Sequence, residues 1–425
     1  MDPRPFRAPA LHPRRTANPV SSRHDVRLPL SKGAGRRLGG LAALLAVLGL
    51  AACAPQPRSF QARPAAPLFG GPNPYAAQVP QEPPTAKIAV LLPMSGPQAA
   101  LGPAMMNAAT LALFDAGQPG VELMPRNTTG TAGGASEAAR AALAEGARVV
   151  VGPLTGAETA AAAGQARAMQ VPVLAFTNDV DQGGNGVWPL GITPAQQVRR
   201  LLASAQAAGI QRVGLAGPEG AFTRQLAAAL RNAARDAGLP PPVVVTYPNA
   251  ASRAQAAGQV AAQAGQEGLG LLILGESGTQ AREMAAALAS AGLASPAMRL
   301  GGTLLWFGDA SLSSEPALAG AWIPGPDPIA RSGFEARYQA AFGERPPRLA
   351  ATAYDATAAA LRAVQPGNPT AQARLPVNEP LTGADGTYRL LPDGQVQRAL
   401  AVYALSPGAE PQPVDPPLLP GLAGF

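Results

Sequence analysis

The chain has 425 residues, 47% of them hydrophobic, which is enough for a large core and two or three domains. The formal charge of +7 suggests a nucleic acid or an anionic membrane, but nine of the 33 Lys/Arg and two of the 26 Asp/Glu fall in residues 1–53, leaving 24 of each beyond; with the basicity confined to the leader, a nucleic-acid partner loses its support. His12 and His24 also lie in the leader and Cys53 is the only cysteine, which excludes Ser-His-Asp and Cys-His catalysis, a zinc site built on His or Cys, and a histidine general base in the body. No enzyme activity, cofactor or metal is expected, although carboxylate-only or Ser-Lys chemistry stays formally open.

The first element is the apolar run Leu38–Leu50 behind Arg36-Arg37. Thirteen residues suit the hydrophobic region of a signal peptide and are too few to span a bilayer as a helix. Leu50-Ala51-Ala52-Cys53 resembles a bacterial lipobox, in which cleavage leaves a lipidated Cys53 as the new N-terminus. An ordinary signal peptide with an incidental cysteine is the competing reading. Residues 54–85 carry nine prolines and almost no periodicity. They read as an extended tether, on the order of 100 Å long at about 3.1 Å per residue.

From Lys87 short β-rich runs alternate with Ala-rich helical stretches. Strands are predicted over 87–93, 121–125, 147–153 and 171–176, with helices over 103–116, 136–146 and 156–169 and from about 193. The cycle then restarts with strands over 212–217, 242–247 and 270–275 and helices over 221–237, 252–266 and 279–291. Two such series predict an α/β chain with two doubly wound parallel-sheet lobes and a cleft between them. A ligand would sit beyond the carboxyl ends of the strands.

Residues 87–113, 149–177 ("VVVGPLTGAETAAAAGQARAMQVPVLAFT"), 333–361 and 381–405 resemble the type I periplasmic binding proteins of the Leu/Ile/Val-binding family. The likeness covers roughly residues 86–408. Within that group "GPL" (152–154), "FTND" (176–179) and "LGITPAQQVRRLL" (190–202) look most like the lipoprotein branch of penicillin-binding protein activators. The resemblance implies a division into signal peptide (1–53), tether (54–85), lobe 1 (86–195 plus about 325–376), lobe 2 (196–324 plus about 377–408) and a Pro-rich tail (409–425).

Carried over by motif, the candidate ligand residues are Ser95 and Gly96 after the first strand, Thr155 and Gly156 at a helix N-terminus that favours a carboxylate, and Thr177 and Asn178 after "VLAF". Phe222, Glu276, Ser277 and Trp306 are the second lobe's contribution. Thr155 and Thr177 could equally be helix caps, Glu276 a solvated acid, and Trp306 core. Tyr354-Asp355 in "AYDAT" read as helix packing and capping. The stretch "GGTLLWFGDAS" (301–311) offers only Asp309 where amino-acid binders of the family keep an acid for the ligand's ammonium group.

The resemblance implies two functions. One is a lipid-anchored activator of a class A penicillin-binding protein, supporting peptidoglycan synthesis from the outer membrane. The alternative is the receptor of an ABC importer, with an ABC permease and a small molecule such as a branched-chain amino acid as partners. Either places the chain in the periplasm, held to a membrane through the lipid on Cys53.

Overall fold

The computed structural model describes residues 85–293, 298–368 and 370–420. The leader, the lipobox with Cys53, and the tether up to residue 84 lie outside the described residues. Among the described residues no helix is long and apolar enough to cross a membrane.

In chain order the first lobe contains β1 (Ala86–Leu92), α1 (Gly102–Ala116), β2 (Val121–Asn127), α2 (Ala132–Ala144), β3 (Ala147–Val151), α3 (Gly156–Ala168), β4 (Val173–Ala175) and β5 (Val187–Pro189). The second follows with α4 (Pro194–Ala207), β6 (Val213–Pro218), α5 (Ala221–Asp236), β7 (Val243–Tyr247), α6 (Arg253–Glu267), β8 (Leu271–Leu274), α7 (Gly278–Ser290), β9 (Arg299–Gly301) and β10 (Trp322–Gly325). The chain then returns through α8 (Pro328–Phe342), α9 (Arg348–Ala363), β11 (Pro380–Gly383), β12 (Gly386–Leu390) and β13 (Val396–Arg398), and ends in β14 (Leu400–Ser406) and β15 (Ala409–Leu418).

Lobe 1 is a parallel sheet in the order β2-β1-β3-β4-β5. Because β1 is covered on both faces it reads as a continuous apolar run, the habit of parallel strands. Ile88, Val90 and Leu92 face Met105 of α1 and the alanines of α9. Ala89 and Leu91 point the other way, onto Ala139 of α2 and Ala162 and Ala163 of α3. Lobe 2 repeats the plan in the order β15-β14-β10-β9-β8-β6-β7. Leu215 and Ile273 face Leu201 of α4 and Leu226 of α5, and Leu272 and Leu274 face Val260 of α6 and Met284 of α7.

Local chemistry sets the helix starts. Thr193 closes a capping box with Gln196 ahead of Pro194 at the first helical position, and the Asp327 carboxylate accepts from the Ile329 and Ala330 amides ahead of Pro328. The helix expected from Ser136 begins four residues earlier, because Thr131 accepts from the Gly134 amide and caps it there.

Two boundaries differ from expectation. The segment assigned to lobe 2 from about 377 divides: β11, β12 and β13 form a separate antiparallel sheet whose Leu381, Tyr388, Leu390 and Val396 join the lobe 1 core. Only from Leu400 does the chain enter lobe 2, where β14 pairs antiparallel with β10. The proline-rich tail is also a strand over 409–418. It pairs with β14 at the edge of the sheet, where a proline's missing N–H is tolerated. Arg200 and Ser204 of α4 both bind its Asp415 carboxylate, at 3.0 and 2.6 Å.

The chain therefore crosses between the lobes three times, after β5, after β10 and after β13. Arg398 ties two crossings together: its Nε donates to the Leu190 carbonyl at the first (3.0 Å), while the residue itself ends β13 at the third. Its Nη1 donates to Asp355 Oδ2 of α9 (2.7 Å), and both side chains are buried. Asp355 Oδ1 accepts from the Ala384 amide and its carbonyl accepts from Tyr388 Oη. Gly383 has to be glycine here, since a Cβ would fall 2.3 Å from Asp355 Oδ1. The second crossing is held by Tyr403 Oη, which donates to the Pro326 carbonyl (2.8 Å), and by the Asp327 amide, which donates to the Asp385 carbonyl. Asp355 packs α9 as expected, but it sits within the helix and anchors the 380–398 sheet rather than capping a helix; neighbouring Tyr354 donates to Asp115 Oδ2 (2.7 Å).

Burial pushes the Asp355 carboxyl up to about 6, with Arg398 opposing the shift and Asp385 adding to it. Desolvation outweighs attraction at Asp355, whereas at Arg398 the facing carboxylates outweigh burial and raise the guanidinium pKa, so the pair's firmest contribution is positional. Asp355→Ala leaves the Arg398 charge buried without a partner and is expected to lower unfolding stability by about 3 kcal/mol. Adding Arg398→Met should recover part of that loss, which urea unfolding of the single and double variants measures.

Candidate functional site

Parallel strands in both lobes end toward the gap between them, and a cavity of about 700 Å³ lies there. Lobe 1 lines it with Leu154, Thr155 and Gly156 after β3, and with Phe176, Thr177, Asn178 and Asp179 after β4. Gly191 and Ile192 come from the first crossing and Pro326 from the second. Leu304, Leu305 and Phe307 follow β9 in lobe 2, while Arg331 of α8, Arg348, Leu349 and Thr352 of α9, and Asp385 complete the wall. Most of this lining is apolar, with a few charged and hydroxyl groups converging on it.

Four of the ten residues expected from sequence meet in this cavity: Thr155, Gly156, Thr177 and Asn178. Thr155 is heavily committed. Its hydroxyl accepts from the Glu158 amide and donates to Glu158 Oε2 (2.7 Å), and its own amide donates to the same oxygen (3.0 Å). This is a closed capping box on α3. Gly156 is pinned by Asp179, for a Cβ on it would lie 2.5 Å from Asp179 Oδ2. The Thr177 hydroxyl accepts from the Asp179 amide (3.1 Å), and Asn178 is exposed.

The other six do not line the cavity. Ser95 Oγ accepts from Asn127 Nδ2 between β1 and β2, and Gly96 takes a φ of 86° against the Thr129 carbonyl. Phe222 packs on the lobe 2 core. Glu276 is buried and ion-paired with Arg253, and burial raises its carboxyl pKa; Ser277 precedes α7 without a capping bond. Trp306 is a correction. Its ring is fully buried against Gly302, and its Nε1 donates to the Glu276 carbonyl (2.6 Å), so the aromatic wall is the next residue, Phe307. Phe307 in turn meets Tyr403 edge to face at 4.9 Å. Asp309 turns away to accept from the Ser311 amide and hydroxyl.

The charged groups of the cavity were not found from sequence. Arg331 is bound on both sides, by Glu335 (2.5 Å) and Asp385 (2.9 Å); burial disfavours its charge, but the two carboxylates outweigh that and raise its pKa. Arg348 has no carboxylate partner among the described residues. Its Nη1 donates to the Leu304 carbonyl across the gap (2.9 Å), joining α9 to the lobe 2 wall. Partial burial pulls its guanidinium pKa down, with Asp385 opposing and Arg331 adding to the shift. Asp179 also lacks an ion pair among the described residues, its carboxylate accepting only from the Asp181 amide and Gln182 Nε2. One signal for Arg348 was available in "ERPPRLAAT". A cation on the first residue of a helix opposes the dipole and suggests a use beyond helix stability.

The family model described as "Periplasmic binding protein" matches residues 85–409. Among solved structures, a putative branched-chain amino acid ABC transporter protein from Rhodospirillum rubrum is 21% identical, with a TM-score of 0.69 over 78% of this chain and 100% of that one. An ABC transporter substrate-binding protein from Sphaerobacter thermophilus is 19% identical, with a TM-score of 0.60 over 79% and 98%. A leucine binding protein from Thermotoga maritima is 20% identical, with a TM-score of 0.52 over 78% and 98%. At these identities the likeness is one of fold. No curated protein sequence matches the chain.

If Thr155 serves α3 as a cap, Thr155→Ala should lower stability by about 1 kcal/mol in urea unfolding, while Thr155→Ser, which keeps the hydroxyl, should lose much less.

Proposed function

Because the chain belongs to the periplasmic binding protein family, we propose that it is the solute-binding receptor of an ABC importer, with an amino acid or a related small solute as ligand. The cavity carries this reading. It is concave, about 700 Å³, mostly apolar and furnished with a few polar groups, as small-molecule sites are. Its walls come from two lobes joined by three short crossings, so closure about those crossings would enfold a solute. The titles of the similar structures point the same way, since they name branched-chain amino acid transport and leucine binding. Gly156, Thr177 and Asn178 would meet the ligand together with the charged groups of the wall, and binding rather than catalysis is the outcome. Residues 1–52 would be removed by cleavage ahead of Cys53, with a lipid on Cys53 and residues 54–85 as a tether in the periplasm.

Two observations favour the second reading, an activator of a class A penicillin-binding protein. The Thr155 hydroxyl and amide at α3 are already used within the chain, and Asp309 on lobe 2 faces away from the cavity. A body built this way could present the two-lobe fold to a peptidoglycan synthase as a docking surface.

A ligand that binds only the folded state adds about 2.7 kcal/mol of stability at one hundred times its Kd. Thermal unfolding in millimolar L-leucine, L-valine or L-isoleucine should therefore shift upward. No shift with these or other amino acids, together with retention of a purified class A penicillin-binding protein by the immobilised chain, would replace the first reading with the second.

A further inference from the structure

We infer that Arg348 holds the anionic end of the cleft ligand and that Asp179 meets its cationic end, so the N-terminus of α3 is not where the ligand's carboxylate goes. The inference rests on the receptor reading above and assigns the polarity of its site.

A helix N-terminus attracts anions through its free amides and dipole, and α3 opens into the cavity. Its capping residue is already used within the chain, and a carboxylate stands beside its first turn. The Thr155 amide and hydroxyl are taken by Glu158, and the Asp179 carboxylate sits so close to Gly156 that any side chain there would collide with it. A second carboxylate brought to the same place would face Asp179 at short range, and like charges repel most strongly where water is excluded. The anion needs another partner. Arg331 is already paired with two carboxylates, Glu335 and Asp385, which leaves Arg348 as the cavity guanidinium without a carboxylate among the described residues. Its one hydrogen bond among the described residues, to the Leu304 carbonyl, uses a single donor of a five-donor fork. The remaining donors can take a carboxylate while that contact keeps α9 and lobe 2 together.

Charge balance gives the other half. With Arg331 and Asp385 paired to each other, Arg348 and Asp179 are the cavity's charges without an ion pair among the described residues. An ammonium group set against Asp179 would gain from its charge. The same cavity is lined by Phe176, Ile192, Leu304 and Phe307, which suit the aliphatic side chain of an α-amino acid whose two charged groups share one carbon.

The test uses the full chain and two probes differing only in the ammonium group, L-leucine and 4-methylpentanoate, with affinities from calorimetry. Arg348→Gln should weaken both at least tenfold, and Arg348→Lys should weaken them less. Asp179→Asn should weaken L-leucine but leave 4-methylpentanoate unchanged or tighter. Unchanged L-leucine affinity in Arg348→Gln would overturn the inference, and so would equal weakening of both probes by Asp179→Asn. If the wild-type chain binds neither probe, the amino-acid receptor reading itself fails, and this assignment with it.

Discussion

Two of the three crossings between the lobes are tied together through one buried contact, Asp355 to Arg398. The arginine ends β13, reaches back to the first crossing at Leu190, and is held by a carboxylate projecting from α9, a helix of the lobe 1 core. Without it the 380–398 sheet loses its charged link to that core, and the third crossing loses its link to the first. The energetics fit a positioning role. Burial raises the Asp355 carboxyl to about 6, so the charged pair carries a substantial desolvation cost. What the contact supplies is a defined geometry where the chain must pass from one lobe to the other.

The cavity depends on that geometry. Arg331 and Asp385, which lie beside the second crossing, pair with each other and remove one charge of each sign from the site. Arg348 starts α9, the same helix that carries Asp355, and donates across the gap to Leu304. One helix thus anchors the hinge through its middle and contacts the opposing lobe through its first residue. Motion at the crossings would change the Arg348–Leu304 distance directly, which couples closure to the group best placed to hold an anion.

Much of the fold was legible in the sequence because it follows from local periodicity and chemistry. The alternation from Lys87 onward, Thr155 and Thr193 ahead of Ala-rich stretches, and the restart at Arg212 all rest on neighbours close in sequence. Legibility failed where distant residues decide. The 380–398 strands look like lobe 2 until Arg398 is seen to pair with Asp355, 43 positions away. The tail looks like a proline-rich end until Arg200 is seen to hold Asp415 against β14. The candidate site shows the same division. The lobe 1 loops followed from motif, and Thr155, Gly156, Thr177 and Asn178 do meet. Between the wall and core readings of Trp306, tertiary packing against Gly302 decides for core and leaves Phe307 on the cavity. The charges of the cavity come from returning segments far along the chain, and nothing short of the fold shows which of them are already paired.

On the proposed polarity, this cleft holds a solute by charges on Arg348 and Asp179 and not by the N-terminus of α3. A crystal structure of the chain grown with L-leucine tests it most directly. The account predicts the carboxylate within hydrogen-bond reach of the Arg348 guanidinium, the ammonium group beside Asp179, and Asp179 still seated against Gly156. A carboxylate bound at the α3 amides with Asp179 displaced, or a cleft without leucine, would contradict it.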